Sequence, residues 1–502
     1  MRIDSLSRRG PFHLLQLTLL LTAALLLPAT AFATTDFGGF DQFRISAMGP
    51  DGDDTFDAIS ASVAYDPVSN EFLVVWSGDT DEGDLVEGEL EIWGQRLDGD
   101  SGAPLGARIR ISDAGPEGST DYRATSPDVV YNSSAGEFLV VWQSSDEAAA
   151  FGEEEIWGQR LEAGTGVELG SNDFRISNQG TDGASNADAR APAVAYNTID
   201  DEYLVVWGGD GGPGLENDEF EIWGQRLEGA SGSRVGDEGF RISSMGPDGD
   251  TAFDATEPDV AHNAIDNEYL VVWHSDDDEP PLDNNIFGVW AQVLDGATGV
   301  AVGENRLLSD VVLSNGANRT PAVAHAASSN LFLVVWPGRL DNSLEIAGQL
   351  IDGETLVDVG VNMRFSDMGP DGNTGFNARR PSVVYVPTQQ EFQVFWDADD
   401  NTAPYQNNDN EIFGQRVDAS SGAEIGRDFG LSRLGTVGQT QFGASAPAAA
   451  TGSGGQVLVV CQGDTNDGDR VDEEFEIHGL LPPLFADSFE SGDLSAWSDS
   501  VP

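Results

Sequence analysis

The 502-residue sequence contains no lysine and only one cysteine, Cys461. A single cysteine cannot form an intramolecular disulfide, and its position excludes lipid attachment at an N-terminal cysteine. All 24 basic residues are therefore arginines, and the sequence has 86 acidic residues, which gives a formal net charge of −62. A surface of this charge repels nucleic acid and anionic membranes, so we expect neither as a partner. Apolar spacing typical of helices is also missing after the N-terminus.

Residues 1–33 have the features of a secretory signal peptide. Three arginines precede an apolar run over residues 14–27, and Ala31-Phe32-Ala33 provides a small-x-small cleavage site. We expect this segment to be removed and the mature chain to be secreted or held at the cell surface, without membrane insertion. The alternative is a retained membrane anchor, although the apolar run is short for a span. Loss of three Arg and one Asp changes the formal charge from −62 to −64.

One apolar phrase recurs seven times after this segment. The phrase, Glu-Phe-Leu-Val-Val-Trp at 71–76, returns at intervals of 60 to 66 residues. Its copies end at Trp76, Trp142, Trp207, Trp273, Trp336, Trp396 and Cys461. A fixed period of this length indicates repeated supersecondary units. We expect Cys461, which takes the place of a tryptophan, to be a buried packing residue.

Each unit contains four short segments, called A to D in chain order. In the third unit they are Pro-Ala-Val-Ala-Tyr at 192–196, Leu-Val-Val-Trp at 204–207, Glu-Ile-Trp-Gly-Gln-Arg-Leu at 221–227 and Phe-Arg-Ile-Ser at 240–243. The segments are rich in β-branched and aromatic residues and are bounded by Gly, Asp, Asn and Pro. This pattern is typical of strands.

Four antiparallel strands repeated seven times predict an all-β fold, a seven-bladed β-propeller over residues 34–481. The chain begins with a D segment at 43–46 and has none after the last C segment near Gly479. We therefore expect the N-terminal strand to complete the last blade and close the ring, which removes exposed strand edges. The alternative is a linear β array with an unpaired end.

Acidic residues concentrate in the D–A and B–C connections, which an up-and-down blade places on one face of the ring. Carboxylates at alternate positions beside a glycine suit calcium, so Ca²⁺ is the predicted cofactor. The predicted ligands are Asp79, Asp81, Asp84, Asp210, Asp276, Asp399, Asp464, Asn466 and Asp469. The alternative is a solvated acidic loop, as on a surface adapted to high salt.

The combination of LVVW, an acid soon after it and EIWGQRL resembles a propeller repeat common in secreted and surface proteins of bacteria. The resemblance covers roughly residues 40–481 and implies the propeller fold, but such proteins are mostly of unassigned function. The calcium loop of integrin-type blades and the sialidase Asp-box are not matched. Residues 482–502 lie outside the repeat and look like a tail of exported bacterial proteins, either a sorting tag or a loose terminus.

A catalytic site on a sevenfold scaffold should break the repeat, and the clearest break is a group of histidines. His262 and His325 replace the tyrosine that ends segment A, and His274 follows Trp273. Histidines here could act as metal ligands or general bases, or could pack within strands. No nucleophile motif or phosphate loop is present.

Three functions therefore stay open. The leading interpretation is a monomeric binding or adhesion module for an extracellular glycan or protein, whose ligand lies on the face that carries the D–A and B–C loops. The others are a carbohydrate-active hydrolase or lyase on the same face and a structural surface protein.

Overall fold

The computed structural model describes residues 41–481, with gaps at 81, 146–151, 181–186, 213, 278–285, 310–312, 315–319, 341–342, 371–372, 374, 401–409, 435–441, 466–470 and 472. The described residues form seven four-stranded antiparallel sheets arranged as a seven-bladed β-propeller without helices. None of them belongs to a helix long and apolar enough to span a membrane. The predicted signal peptide and C-terminal tail lie outside the described residues.

Strands A to D follow one another across each sheet, and their bounds repeat closely from blade to blade. The A strands are Ala58–Asp66, Ala124–Asn132, Ala189–Asn197, Ala255–Asn263, Ala322–Ala326, Ala378–Val386 and Ala444–Thr451. The B strands are Glu71–Gly78, Glu137–Ser144, Glu202–Gly209, Glu268–Ser275, Leu331–Leu340, Glu391–Ala398 and Val457–Gly463.

The two outer strands complete each blade. The C strands are Glu91–Asp98, Glu155–Glu162, Glu221–Glu228, Ile286–Asp295, Ser343–Asp352, Glu411–Asp418 and Glu476–Leu481. The D strands of blades 1 to 6 are Ile109–Arg110, Glu168–Arg175, Arg234–Arg241, Ala301–Leu307, Asp358–Arg364 and Glu424–Gly430. Blade 4 has an additional short strand, Leu313–Ser314, which pairs with the start of its C strand.

The N-terminal strand closes the ring, as the sequence predicts. Asp41–Arg44 pairs antiparallel with Glu476–Leu481 and forms the D strand of blade 7, with Phe43 opposite Gly479. The ring of Phe43 requires this glycine, because a Cβ at position 479 would lie 2.6 Å from Cζ of Phe43. The first and last blades are therefore joined by strand pairing and not by chain continuity.

The B strands form the centre of each blade and supply the core between neighbouring blades. The Leu-Val-Val-Trp residues are buried on both faces, and Trp76 packs in one cluster with Leu458 and Ile477 of blade 7. Cys461 is also fully buried, and its burial raises the pKa of its thiol. The repeated phrase therefore builds the contacts on which blade-to-blade packing depends.

The A strands form the inner ring, because each packs against the A strands of the two neighbouring blades. Six of them carry a β-bulge at a residue with positive φ: Ser60, Ser126, Ala191, Glu257, Arg380 and Ala446. A proline follows the bulge residue in all of these blades except the first. Proline has no N–H to donate, so a bulge can hold it without loss of a ladder hydrogen bond.

Candidate functional site

The residues that the repeats share have structural partners. In blade 3, Glu221 opens the C strand and is buried, and its carboxylate accepts hydrogen bonds from the Ser243 hydroxyl and from the Met245 N–H at 2.8 Å. Arg241 forms an ion pair with the same carboxylate. Burial raises the pKa of Glu221, while Ser243 and Arg241 oppose that rise. The glutamate–serine contact recurs at Glu91, Glu155, Glu345, Glu411 and Glu476.

The arginine of EIWGQRL joins strands and blades. Arg160 Nε lies 2.6 Å from Oε1 of Glu137 on the B strand, and its Nη2 donates to the Ala230 carbonyl of the next blade at 2.7 Å. Equivalent ion pairs form in blades 1, 3 and 6. The motif that carries the family resemblance therefore stabilises the fold and leaves the functional residues to be found elsewhere.

The predicted metal ligands that follow the B strands accept hydrogen bonds from backbone N–H groups. Asp79 is buried, and its two oxygens accept from the N–H of Asp57 at 2.9 Å and of Gly88 at 2.6 Å. In blade 7, Asp464 accepts from Gly443 at 2.9 Å and from Glu473 at 3.1 Å. Each carboxylate therefore connects a D–A loop to a B–C loop, which places both loops on one face as predicted.

The remaining predicted ligands are distributed as follows. Asp210 accepts from the N–H of Asp188 and Asp218, while Asp276 and Asp399 accept from the backbone N–H of Asp254 and of Asn377 in their D–A segments. Asp84 is exposed. Asp81, Asn466 and Asp469 lie outside the described residues. In the described part of the chain, no three His, Cys, Asp or Glu side chains are grouped to hold a metal ion. Calcium binding stays a prediction.

A second set of acidic residues, which our sequence analysis did not single out, makes the same kind of contact. Glu219 accepts from the N–H of Gly249, in the D–A loop that leads into the next blade, at 3.0 Å, and Glu89 accepts from Gly118 in the same way. In blade 7, Glu474 accepts from Gly52 at 2.9 Å. A recurring glycine in each D–A loop and a glutamate two residues before the C-strand glutamate are the signal that could have revealed the pairing.

The structure separates the three histidines into two places. His262 and His325 lie at the ends of their A strands, where Nε2 lies 3.2 Å from Asn267 Oδ1 and 3.0 Å from Asn330 Oδ1. Tyr65 makes the equivalent contact in blade 1, so both histidines replace a structural tyrosine. Burial lowers the pKa of both imidazoles. His274 lies at the opposite end of the hairpin, next to Thr256.

The seven copies reveal one position that differs in nearly every blade. The residue after the last apolar residue of the B-strand phrase is, in order, Ser77, Gln143, Gly208, His274, Pro337, Asp397 and Gln462. In two blades its side chain accepts a hydrogen bond from the backbone at the A-strand bulge of the next blade: Gln143 accepts from the Ala191 N–H at 2.7 Å, and Gln462 from the Ser60 N–H at 2.9 Å. We define the channel mouth as these residues together with each A-strand bulge residue and the residue before it.

The channel mouth also carries charges that the repeat does not share. Arg380 forms a bidentate ion pair with Asp397 at 2.6 and 2.9 Å. Arg190 is 47% exposed and pairs with carboxylates of neighbouring loops. Glu257 reaches solvent, but the surrounding ring limits its hydration and raises the pKa of its carboxyl. Among the described residues, neither Glu257 nor Arg379 has a charged partner.

Two aspartates lie deeper in the inner ring. Asp128 accepts from the Ser62 hydroxyl and from the Val194 N–H, both at 2.8 Å, and so connects three blades. Asp259 accepts from the Val323 N–H of blade 5 at 2.8 Å. Burial, together with the negative charge of Asp128, raises the pKa of Asp259 to about 7.

No protein-family model matches the sequence, and no curated protein matches it either. Among solved structures, the chain is similar to an ulvan lyase bound to a GlcA(1-4)Rha3S glycan, with 9% identity, TM-score 0.51, and 88% of this chain and 96% of that chain covered.

Two weaker likenesses have lower TM-scores. The NanB sialidase of Streptococcus pneumoniae has 7% identity and a TM-score of 0.46, with 88% of this chain and 70% of that chain covered. The α-L-arabinanase of Penicillium chrysogenum has 11% identity and a TM-score of 0.42, with 71% of this chain and 93% of that chain covered. At these identities the likeness to the ulvan lyase supports the propeller fold alone.

Proposed function

We propose that this chain is a secreted or surface-displayed propeller that binds an extracellular glycan at the channel mouth. The proposal is supported by the positions at which residues differ between the blades. Residues shared by the blades are occupied by contacts within the fold, whereas charged and amide side chains that differ between blades collect at the mouth. A single ligand needs a single set of unlike residues, which a regular repeat cannot provide.

The chemistry of the mouth suits a polyhydroxyl ligand. The Arg380 guanidinium keeps N–H donors beyond those that bind Asp397, and Gln143 and Gln462 bring further amide donors. Asp397 itself is buried and also accepts hydrogen bonds from the Ala446 N–H and the Asn410 amide. Neighbouring sugar hydroxyls both donate and accept, so they can complete such a network. The similar ulvan lyase holds a glycan, and we carry that ligand class to this chain as part of the proposal.

The charge of the chain favours a neutral glycan. The formal net charge is −62, so an anionic polysaccharide is repelled at long range, and that repulsion weakens as salt screens it. Binding of a neutral glycan should change little with ionic strength. Binding of a uronate-rich or sulfated glycan should strengthen as salt rises, or when calcium bridges the two.

A glycan panel tests the proposal. The chain from residue 34 onward is titrated by calorimetry with neutral, uronate-rich, sulfated and amino polysaccharides, and then as Arg379→Gln. Arg234→Gln, on an exposed D strand, is the matched control. The proposal predicts saturable binding that Arg379→Gln weakens about tenfold, or about 1.4 kcal/mol, and Arg234→Gln leaves unchanged. No binding to any class, or equal binding by both variants, contradicts it.

Catalysis on the glycan is the second candidate, and Glu257 is the observation that favours it. Poor hydration raises the pKa of the Glu257 carboxyl, and a carboxylic acid with a raised pKa is a candidate general acid. The bound glycan from the panel is incubated with the protein and analysed for new reducing ends and for unsaturated uronate. Turnover that disappears in Glu257→Gln supports a hydrolase or lyase. Binding without turnover supports a binding module instead.

Calcium is proposed as a stabilising ion of the B–C loops. Carboxylate oxygens that accept one backbone N–H keep lone pairs for a metal. Melting temperature is measured at fixed high ionic strength with calcium and then with excess chelator. A bound ion raises the melting temperature by mass action. An unchanged melting temperature would mean that these carboxylates only connect the loops.

A further inference from the structure

A cleft of about 390 Å³ opens between blades 3 and 4, away from the channel mouth. Ser244 and Met245 line one side, and Trp290 and Asn305 line the other. Asp277 and Glu304 add two carboxylates. Trp290, Met245 and Asp277 are buried, so the walls are fixed by the fold, whereas Glu304 is exposed.

The equivalent place between blades 7 and 1 is filled by an arginine of this same chain. The guanidinium carbon of Arg108 lies 4.7 Å from the ring centroid of Trp93, the counterpart of Trp290. Its Nη1 donates to the Ala47 carbonyl and lies 3.6 Å from the sulfur of Met48. Its Nη2 lies 2.8 Å from a carboxylate oxygen of Glu82. A tryptophan face, a carbonyl, a methionine and an acid therefore enclose one guanidinium.

Blade 4 keeps the tryptophan and the methionine of these surroundings but has lost the arginine. Ser244 and Met245 stand where blade 7 has Ala47 and Met48, and Asn305 stands where blade 1 has Arg108. The short side chain of Asn305 makes its hydrogen bonds to blade 4 and to the end of blade 3. Its amide donates to Gln292 Oε1 at 2.7 Å and to the Ile242 carbonyl at 3.1 Å, while its Oδ1 accepts from the Ser244 N–H. In the described part of the chain, the cleft therefore extends over Trp290.

We propose that this cleft binds an arginine side chain presented by a basic peptide segment of a partner protein. The guanidinium stacks on Trp290, as Arg108 does on Trp93, and is neutralised by Asp277 and Glu304. Arginine is favoured over lysine because a planar guanidinium both stacks and donates several hydrogen bonds. The formal charge of −62 adds long-range attraction for a basic partner.

The test uses the tripeptide Gly-Arg-Gly with blocked ends, titrated into the chain from residue 34 onward at physiological salt. Saturable binding is expected, with Gly-Lys-Gly weaker and the neutral isostere Gly-citrulline-Gly not bound. Free arginine serves as a separate arm, because equal binding of the free amino acid would overturn a peptide partner. Failure of the arginine peptide to bind also overturns the proposal.

Substitutions locate the site. Asn305→Arg copies blade 1 and should fill the cleft from within, so that peptide binding falls below detection while the protein stays folded. Trp290→Phe keeps an aromatic ring at this position and should weaken binding roughly threefold or more through a poorer cation–π contact. The matched control is Asn362→Arg in blade 5, where Ala347 replaces the tryptophan and no stacking surface exists. Unchanged binding in Asn305→Arg and Trp290→Phe contradicts the assignment.

Discussion

At the residue scale, the seven copies act as controls for one another. Four blades pair a B-strand glutamate with a C-strand arginine, whereas blade 5 has Leu331 and Leu350 at these positions. Blade 4 keeps the acid, Glu268, but has Val293 where the arginine belongs. Among the described residues, Oε2 of Glu268 is buried without a hydrogen-bond partner, and burial together with nearby acids raises the pKa of its carboxyl.

Restoring the missing arginine should stabilise the protein. Val293→Arg places a guanidinium beside Glu268, and we expect about 1–3 kcal/mol, since a buried unpaired polar group costs that much. Urea unfolding of the substituted chain measures the gain. Leu350→Arg is the control, because it adds a guanidinium beside Leu331 and should destabilise. A loss of stability in Val293→Arg would show that Glu268 does not lack a partner in solution.

A second comparison concerns Asp428, whose equivalents in blades 4 and 5 are Asn305 and Asn362. Burial and neighbouring carboxylates raise the pKa of Asp428 to about 7. Oε1 of Gln415 nearby has no hydrogen-bond partner among the described residues, whereas in blade 5 the corresponding Gln349 oxygen accepts from Asn362 at 2.8 Å. The acid therefore needs a proton to make the contact that asparagine makes at any pH.

Asp428→Asn should accordingly stabilise the protein at pH 8 and have little effect near pH 5. The gain at high pH is on the order of 1–3 kcal/mol, because an ionised buried carboxylate is removed and Gln415 receives a donor. Thermal melts at both pH values measure it. The converse, Asn362→Asp, should lose stability at pH 8 only, and a pH-independent effect of either substitution would contradict this account.

At the element scale, the acidic loops are held together through their carboxylates. Asp210→Asn turns one N–H acceptor into a donor that faces the N–H of Asp188 or Asp218, so we expect a loss of about 1–3 kcal/mol. Asp84→Asn, at an exposed position, is the control and should change stability little. Chemical unfolding without calcium isolates this role from metal binding. Equal stability of the two variants would mean that the hydrogen bonds of Asp210 do not stabilise the protein and that Asp210 acts as a solvated surface residue.

The strands were predictable from the sequence, and the contacts of the loop acids were not. The repeat period and the apolar residues on both faces predict LVVW as a buried strand, and the unpaired first D segment predicts that the N-terminal strand completes the last blade. The spacing of the carboxylates around Asp79 suits a metal loop and predicts that Asp79 is a calcium ligand. Its observed partners, Asp57 and Gly88, are backbone groups whose positions depend on the fold of two loops, which spacing in the sequence does not specify.

At the scale of the whole molecule, stability depends on closing the ring. A chain that begins at residue 47 loses the pairing of Asp41–Arg44 with blade 7 and leaves Glu476 without Ser46. We expect such a chain to unfold at a much lower temperature or to aggregate through the exposed strand edge. Mutation of Phe43 to Ala tests the same contact more gently. An unchanged melting temperature in both would contradict closure by this strand.

Acidification should stabilise the protein before it denatures it. Asp173, Asp259 and Asp428 have pKa values raised to about 7, against an ordinary value of 3.8, so the folded state holds more protons between these limits. Stability therefore falls as pH rises from about 5 to 7, by up to about 1.4 kcal/mol per pH unit for each group. Unfolding measured from pH 8 to 5 at constant salt should show the increase, and a flat profile would contradict it.

The central claim is that residues shared by the blades hold the fold and that unshared residues at the channel mouth bind the ligand. The most direct test measures melting temperature and glycan affinity for Glu257→Gln and for Glu219→Gln. The account predicts that Glu257→Gln changes affinity and does not lower the melting temperature, whereas Glu219→Gln lowers the melting temperature and leaves affinity unchanged. Affinity lost in Glu219→Gln, or kept in Glu257→Gln, would place the ligand outside the mouth.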